Sequence, residues 1–328
     1  MNVHEWPLTA FTILAQMSVG AFITLGLVTV FARSKHSAKI IDRIAKPALY
    51  AIGPIMVLAL IASLFHLGNV FKAPNALRNI ATSWLAREIL FGAGFAVLGF
   101  AFALMQWFQW FNATIRQVIA IITALWGLVF IWVMAHVYLL PTVPAWNHWT
   151  TPASFYLSAG LTGSLAIAVA FAAWPVVSNK WPALDHALSG RGSTSAPRKS
   201  STKAKSSANT ADVETQALTN SVLKWIGILS VLLLAFQLAV TVFAQMRPAG
   251  PNPPVEVFSP TWFIVRVILL VLGAGLMGIY LTLSSQENAL LKKTRSLLSL
   301  TVTSFILVTI SEVIARFMFY AEMNPVGI

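Results

Sequence analysis

TAFTILAQMSVGAFITLGLVTVF, residues 9–31, contains no Asp, Glu, Lys or Arg. A helix needs about 20 mostly apolar residues to cross the hydrocarbon core of a bilayer, and this stretch is long enough. Seven further runs have the same character: roughly residues 47–68, 86–106, 114–138, 153–174, 221–243, 262–283 and 297–320. The sequence therefore predicts an all-α integral membrane protein whose residues 1–328 form one transmembrane domain, a bundle of eight helices.

The composition supports a membrane protein and excludes several kinds of chemistry. Of the 328 residues, 57% are hydrophobic and 10% are charged, whereas soluble domains carry about 25% charged residues. The net charge of +12 does not indicate nucleic-acid binding, because the basic residues lie mainly in the connections between apolar runs. The chain has no Cys, so it can hold neither a cysteine-ligated iron–sulfur cluster nor a disulfide.

The distribution of Lys and Arg predicts the orientation. Odd-numbered connections, with their margins, hold 16 of the 22 Lys and Arg residues, and even-numbered connections hold four. Without the long fifth connection the bias is still 9 against 4. Cytoplasmic loops carry the excess of basic residues. We therefore expect both termini outside. Residues 9–31 are expected to form a first spanning helix rather than a signal peptide, because the apolar stretch is too long and no Lys or Arg precedes it.

Two further local features bear on the helices and loops. Pro47, Pro152 and Pro260 are predicted at or just before helix starts, and Pro54 is predicted to kink the second helix mildly. Residues 189–209 are rich in Ser, Lys and Gly. That composition predicts a disordered basic cytoplasmic loop, either a solvated linker or a segment that touches anionic lipid head groups.

Ionisable side chains within or near the spans are candidate functional residues, because charge in hydrocarbon is costly. There are seven: His66, Arg87, Glu88, His136, Arg266, Glu312 and Arg316. With the expected orientation all seven lie in the outer half of the membrane, which predicts a polar pocket open to the outside. Each also has a structural interpretation, such as an interfacial histidine, a carboxylate at a helix start, an i, i+4 ion pair between Glu312 and Arg316, or an arginine that reaches lipid phosphate.

Oxidation of a quinol suits such a pocket. The reaction releases two electrons and two protons, and a histidine with a carboxylate near the water interface can accept protons near neutral pH. The pocket would have to border lipid, because a quinol arrives through the bilayer. His66 and His136 lie at similar predicted depth, so one bis-histidine haem is geometrically possible, although we expect none.

Several segments resemble the membrane-anchor subunit of bacterial dimethyl sulfoxide reductase. The similarity begins at His4-Glu5-Trp6-Pro7-Leu8 and is most specific in IASLFHLGNVFKAPNALRNIATSWLAREI, residues 61–89. It resumes in VFIWVMAHVYLLPTVPAWNHWTTPASF, residues 129–155, and from Ser311 to Tyr320. Two features depart from the family pattern: the segment 189–209 resembles an insertion, and His136 stands where an arginine is expected.

The resemblance implies a three-subunit complex of anaerobic respiration in the bacterial inner membrane. A molybdopterin catalytic subunit and a four-cluster iron–sulfur subunit would lie on the periplasmic side, and they alone would hold those cofactors. The anchor would oxidise menaquinol without haem and without catalysing the terminal reduction. The family associates quinol binding with the residues that are His66 and Glu88 here.

Two other function classes remain open from the residues alone. A transporter or channel would need a polar pathway across the whole membrane and, typically, paired broken helices, which the sequence does not indicate. A purely structural anchor would use the ionisable residues only to dock its partner, and binding of a quinol analogue would separate it from a quinol-oxidising anchor.

Overall fold

The fold is a bundle of long helices in the computed structural model. The structure describes residues 6–33, 35–36, 38–65, 75, 77–180, 202–246, 260–276, 278–280 and 294–323. The helices are α1 Trp6–Ala32, α2 Ala38–Leu64, α3 Trp84–Phe108, α4 Ala113–His136, α5 Thr150–Lys180, α6 Thr202–Gln245, α7 Pro260–Leu270 and α8 Thr294–Ala321. A short 3-10 helix, Leu77–Asn79, precedes α3.

The predicted number and positions of the spans are confirmed. Eight helices in the described part of the chain are long and apolar enough to cross a membrane, and each contains most of one predicted run. Pro260 is the first residue of α7 and Pro152 is the third residue of α5, as expected for residues that lack an N–H.

Two boundaries differ from the predictions. α2 begins at Ala38, so Pro47 lies inside the helix rather than at its start; Ile40, Ile41 and Ile44 of this added segment are buried, and this packing favours the earlier start. α6 begins at Thr202, so residues 202–209 are helical rather than disordered. Residues 189–201 of the predicted loop lie outside the described residues.

α1 and α5 form the centre of the bundle and touch backbone to backbone. In the most apolar 18-residue stretch of each helix, 61% of α1 and 56% of α5 is buried inside the bundle, a larger share than in the other spans. Gly20 of α1 lies against Gly163 and the Ala159 carbonyl of α5, and a Cβ on either glycine would overlap the opposite backbone. Small residues allow such close crossings in membranes, where packing rather than the hydrophobic effect holds helices together.

α7 contains an irregular turn that neighbouring serines stabilise. After Leu270 the helix continues as a π-helix, Val271–Leu276, which leaves carbonyl groups without their usual partners. Ser304 of α8 donates a hydrogen bond to the Gly273 carbonyl, and Ser230 of α6 donates to the Ala274 carbonyl at 3.3 Å. Such side-chain donors satisfy backbone groups that water cannot reach.

The helices alternate in direction, and contacts between their ends define the two ends of the bundle. Trp6 at the start of α1 contacts Phe65 after α2, with ring centroids 5.9 Å apart. We call this end the Trp6 end; it holds the starts of α1, α3, α5 and α7. At the opposite end, Arg33 Nη1 after α1 donates to Gln117 Oε1 near the start of α4 at 3.2 Å, so the first and third connections lie together, as the alternation requires.

Candidate functional site

Six of the seven predicted ionisable residues are described, and all six lie in the half of the bundle nearer the Trp6 end. The deepest, Glu312, is nine residues before the end of α8, which is about 14 Å at 1.5 Å per residue. The six do not form one pocket. By their contacts they fall into three groups: Glu88 and Arg316, which interact with the same tyrosine pair; Glu312 and Arg266, which line a cavity that Arg316 also lines; and His136 and Arg87, which lie in one aromatic stack.

Glu88 is buried in the bundle and faces other polar side chains. The Ser83 hydroxyl accepts a hydrogen bond from the Ala86 N–H at 3.3 Å and so fixes the start of α3 at Trp84. Glu88 is therefore the fifth residue of the helix and points inward, only 5% exposed. Its Oε1 has no hydrogen-bond partner. An exposed carboxylate that only complements the helix dipole would not be buried in this way.

Two tyrosines form a hydrogen-bonded pair beside Glu88. The hydroxyl groups of Tyr138 and Tyr320 are 3.1 Å apart, and Tyr320 donates to Thr12 Oγ1 of α1 at 3.4 Å. Glu88 interacts electrostatically with both phenols. Burial, together with neighbouring Tyr320 and Glu88, raises the pKa of Tyr138 well above its ordinary value. Tyr138 therefore stays a neutral hydrogen-bonding group at physiological pH.

Arg316 brings a positive charge to the same cluster. Its Nη2 donates to Gln16 Oε1 at 3.2 Å, and its guanidinium carbon lies 3.9 Å from the ring centroid of Phe155. It interacts electrostatically with the Tyr138 and Tyr320 phenols. We call Thr12, Gln16, Glu88, Tyr138, Arg316 and Tyr320 the buried polar cluster; each is at most 5% exposed.

Glu312 and Arg266 line a second feature, a polar cavity of about 70 Å³ between α5, α6, α7 and α8. We call it the α5–α8 cavity. Arg316 also lines it, as do Gln237 and Glu322. Ser311 Oγ donates to the Arg266 carbonyl at 2.9 Å and joins α8 to α7. Glu312 Oε1 and Arg316 Nε are both buried without a hydrogen-bond partner, so these atoms do not form the expected i, i+4 pair.

His136 and Arg87 belong to an aromatic stack outside the buried polar cluster. The His136 ring lies between Trp84 and Trp132, at centroid distances of 4.6 and 4.2 Å. The Arg87 guanidinium covers the other part of the stack, 4.3 Å from a Trp84 ring. Arg87 Nε and Nη2 also donate to the Ile80 and Ala81 carbonyls at 2.9 and 2.6 Å. Arg87 therefore fixes the segment that leads into α3.

His66 lies outside the described residues, so the structure does not test its predicted pairing with Glu88 or with His136. Its neighbour Phe65 contacts Trp6 at the start of α1, which puts the end of α2 at the Trp6 end. Among the described residues, no three His, Asp or Glu side chains come together as a metal site.

Uncharged members of the buried polar cluster are not among the predicted site residues. Thr12 and Gln16 lie in an otherwise apolar helix, and a search for ionisable groups passes over them. The spacing of Thr9, Thr12 and Gln16 puts them on one face of α1. That polar stripe is a signal in the sequence that could have identified this face as functional.

Comparison with known proteins assigns the chain to a family. A family model described as the DMSO reductase anchor subunit matches residues 1–182, more than half of the chain. The chain belongs to this family of anchor subunits. The match covers α1 to α5 and thus Glu88 and His136. The resemblance between Ser311 and Tyr320 lies beyond the matched residues.

Three curated relatives of this anchor subunit are named as chains of anaerobic dimethyl sulfoxide reductases. It is 33% identical over 186 residues to the YnfH subunit of an anaerobic dimethyl sulfoxide reductase of Escherichia coli, covering 55% of this protein and 62% of the relative. It is 33% identical over 171 residues to the C subunit of the Haemophilus influenzae enzyme, covering 51% and 60%. For the C subunit of the Escherichia coli enzyme the identity is 32% over 163 residues, covering 49% and 56%. The matched region thus spans about three fifths of the length of these relatives. No solved structure matches this anchor subunit significantly.

Proposed function

We propose that this anchor subunit oxidises menaquinol for a dimethyl sulfoxide reductase-type complex and passes the electrons to an iron–sulfur partner. One observation carries the proposal: Glu88 is a buried carboxyl group with an unpartnered oxygen, and it interacts electrostatically with two phenols that also interact with Arg316. Buried polar atoms nearly always have a partner, so an unpartnered carboxyl oxygen supports a ligand that supplies a hydroxyl group. The names of the relatives support a respiratory complex of this kind.

The buried polar cluster has the chemistry that quinol oxidation needs. Glu88 Oε1 accepts a hydrogen bond from one quinol hydroxyl and then takes its proton. The Tyr138–Tyr320 pair offers neutral hydroxyl groups that orient the ring, and Arg316 stabilises negative charge that develops as the proton leaves. The family resemblance associates His66 with quinol binding as well, and in this proposal His66 accepts or hydrogen-bonds the proton of the other quinol hydroxyl. Arg87 and His136 act indirectly, by holding the start of α3 against the end of α4.

A cleft open between α2 and α3 supports access from lipid. Its volume is about 250 Å³, and its lining is almost wholly apolar. On α3 the lining includes Phe95, Ala96 and Gly99, which follow Glu88 by 7, 8 and 11 residues and so share its face of the helix. We call it the α2–α3 cleft. A quinol whose ring reaches Glu88 would have its isoprenoid tail in this cleft.

The partners and the orientation follow from the same proposal. The Lys and Arg bias puts the Trp6 end of the bundle on the periplasmic side of the bacterial inner membrane. The four-cluster iron–sulfur subunit and the molybdopterin subunit then dock at this end, nearest Glu88. Electrons and protons leave on the same side, so turnover builds no proton gradient.

The observations favour this proposal over its two rivals. A transporter or channel needs polar groups along the whole membrane, whereas the six described ionisable candidates all lie in the half nearer the Trp6 end. A purely structural anchor has no need of an inward-facing carboxyl group without a partner. Binding of a quinol analogue decides between a structural anchor and a quinol site.

The substitution Glu88→Gln tests the quinol site. In membranes carrying the assembled complex, we expect quinol-dependent reduction of the acceptor to fall by about a hundredfold or more, as for loss of a general base. Binding of a fluorescent quinol analogue should weaken as well. Wild-type turnover and analogue binding in E88Q would reject the role of Glu88.

The matched control is Glu214→Gln, which changes an exposed carboxylate near the other end of the bundle. Both variants should retain acceptor reduction driven by a viologen, because that donor supplies electrons directly to the partner subunits. Loss of the viologen activity would mean that the complex had failed to assemble and would disqualify that variant.

A further inference from the structure

The α5–α8 cavity is a second polar feature that the proposed quinol chemistry does not use directly. It lies at the Trp6 end of the bundle, where the ends of α6 and α8 meet the starts of α5 and α7. Its lining includes two guanidinium groups, Arg266 and Arg316, and two carboxyl groups, Glu312 and Glu322. Equal numbers of basic and acidic groups give the cavity no strong net charge, so it does not repel a proton as a purely basic cavity would.

Three buried polar atoms on the lining residues have no protein partner. They are Gln237 Oε1, Glu312 Oε1 and Arg316 Nε, and their side chains are only 1%, 3% and 5% exposed. Buried polar groups without a protein partner are normally satisfied by ordered water. The volume of about 70 Å³ has room for more than one water molecule. These features fit a hydrated cavity better than an apolar void.

Arg316 connects this cavity to the candidate quinol site. One side of its guanidinium donates to Gln16 in the buried polar cluster, while the residue also lines the cavity. The distance along α8 from Arg316 to Glu312 is four residues, or about 6 Å. A file of water molecules in the cavity would therefore begin at Arg316, which contacts the buried polar cluster through Gln16.

We propose that the α5–α8 cavity carries protons from the quinol site to the surface at the Trp6 end, with Glu312 as the relay carboxylate. The inference rests on the proposed quinol oxidation. Oxidation of each quinol releases two electrons, which go to the partner's iron–sulfur centre, and two protons. The protons pass from the buried polar cluster to water in the α5–α8 cavity, then to Glu312, and then to the surface at the Trp6 end. Arg316 keeps its own proton, since a guanidinium is not deprotonated in proteins; its role is to orient the water in the cavity.

Glu312→Gln tests the relay, because glutamine keeps the shape and hydrogen-bonding capacity but accepts no proton. We expect the turnover number with menaquinol to fall at least tenfold, with a larger solvent deuterium isotope effect, while the affinity for a quinol analogue stays within twofold of wild type. Glu312→Asp, which keeps a carboxyl group, should restore part of the rate. Glu214→Gln is again the matched control and should leave both rate and isotope effect unchanged.

The outcomes separate this inference from the quinol proposal. Wild-type turnover in E312Q, or no rescue by E312D, would overturn the relay even if E88Q abolishes turnover and analogue binding. Analogue affinity that falls in E312Q as far as in E88Q would also overturn it and would make Glu312 part of the binding site. If E88Q leaves turnover and binding intact, the quinol site itself is wrong. Viologen-driven activity confirms assembly in every variant.

Discussion

Arg316 shows how a charge can be buried in this bundle without a directly hydrogen-bonded carboxylate. Its guanidinium rests on the Phe155 ring and donates to Gln16, so an aromatic face and an amide oxygen replace part of the lost hydration. Glu88 interacts with the same two tyrosines. The buried polar cluster thus contains a carboxyl group, a guanidinium and two neutral phenols, and the described contacts include no hydrogen bond between the carboxyl group and the guanidinium.

The Tyr320 hydroxyl hydrogen-bonds with two other members of the buried polar cluster, and the substitution Tyr320→Phe measures its contribution to stability. The substitution removes the group that joins Tyr138 to Thr12. We expect a loss of about 1 kcal/mol in the free energy of unfolding, the net worth of a typical hydrogen bond, measured by thermal unfolding in detergent. Tyr280→Phe, at an exposed tyrosine, is the control. An unchanged Y320F protein would mean that the hydroxyl is not a stabilising link.

At the scale of the helices, the sequence is sufficient to predict a feature wherever one physical property determines that feature. Length and apolarity predict all eight spans. The start of α2 was placed too late because Pro47 is tolerated inside a helix whose earlier residues pack through Ile40 and Ile44. The π-helix Val271–Leu276 was not predicted, because its stability depends on serines from two other helices.

Part of the candidate site can likewise be predicted from the sequence, and part depends on the packing of the helices. Residues such as Glu88 and Arg316 stand out in the sequence because charge is rare in a span. Their division into separate groups depends on which helix faces meet, and that is a property of the packed bundle. The partners Gln16 and Tyr138 are chosen by contacts across more than a hundred residues of sequence, so their roles become visible only in the fold.

The crossing of α1 and α5 makes a prediction about stability at the element scale. Gly20→Ala adds a methyl group that overlaps the Ala159 carbonyl, and overpacking costs about 1–3 kcal/mol. We expect a lower unfolding temperature in detergent and weaker assembly. Gly26→Ala, on the same helix, meets no atom within 4 Å and should be neutral or slightly stabilising. Equal stabilities of the two variants would argue against the close crossing.

Across the described part of the molecule, the six ionisable residues singled out in and near the spans lie toward the Trp6 end, and the apolar cleft extends toward the opposite end. The α2–α3 cleft is lined by residues from Phe95 to Trp107 on α3, a rise of about 18 Å. The buried polar cluster lies beyond the Phe95 end of the cleft, on the face of α3 that carries Glu88. This arrangement suits an amphipathic ligand with one polar ring and a long hydrocarbon tail, in which only the ring needs protein hydrogen bonds.

Gly99→Leu tests that arrangement by filling the cleft far from the polar cluster. A Cβ at Gly99 meets no atom within 4 Å, so the larger side chain enters the cleft without displacing backbone. We expect the KM for a menaquinol with a long isoprenoid tail to rise about fivefold, equivalent to about 1 kcal/mol. The KM for a tailless naphthoquinol should stay the same, because its ring binds near Glu88.

Gly26→Leu provides the control, since a Cβ at Gly26 also meets no atom within 4 Å and the residue does not line the cleft. It should change neither KM. If Gly99→Leu raised the KM for both quinols equally, the substitution would be distorting the ring site. If it changed neither, the tail would lie elsewhere, and the α2–α3 cleft would be a space that membrane lipid fills. A selective effect on the tailed quinol is the outcome that joins the apolar cleft and the buried polar cluster into one binding site.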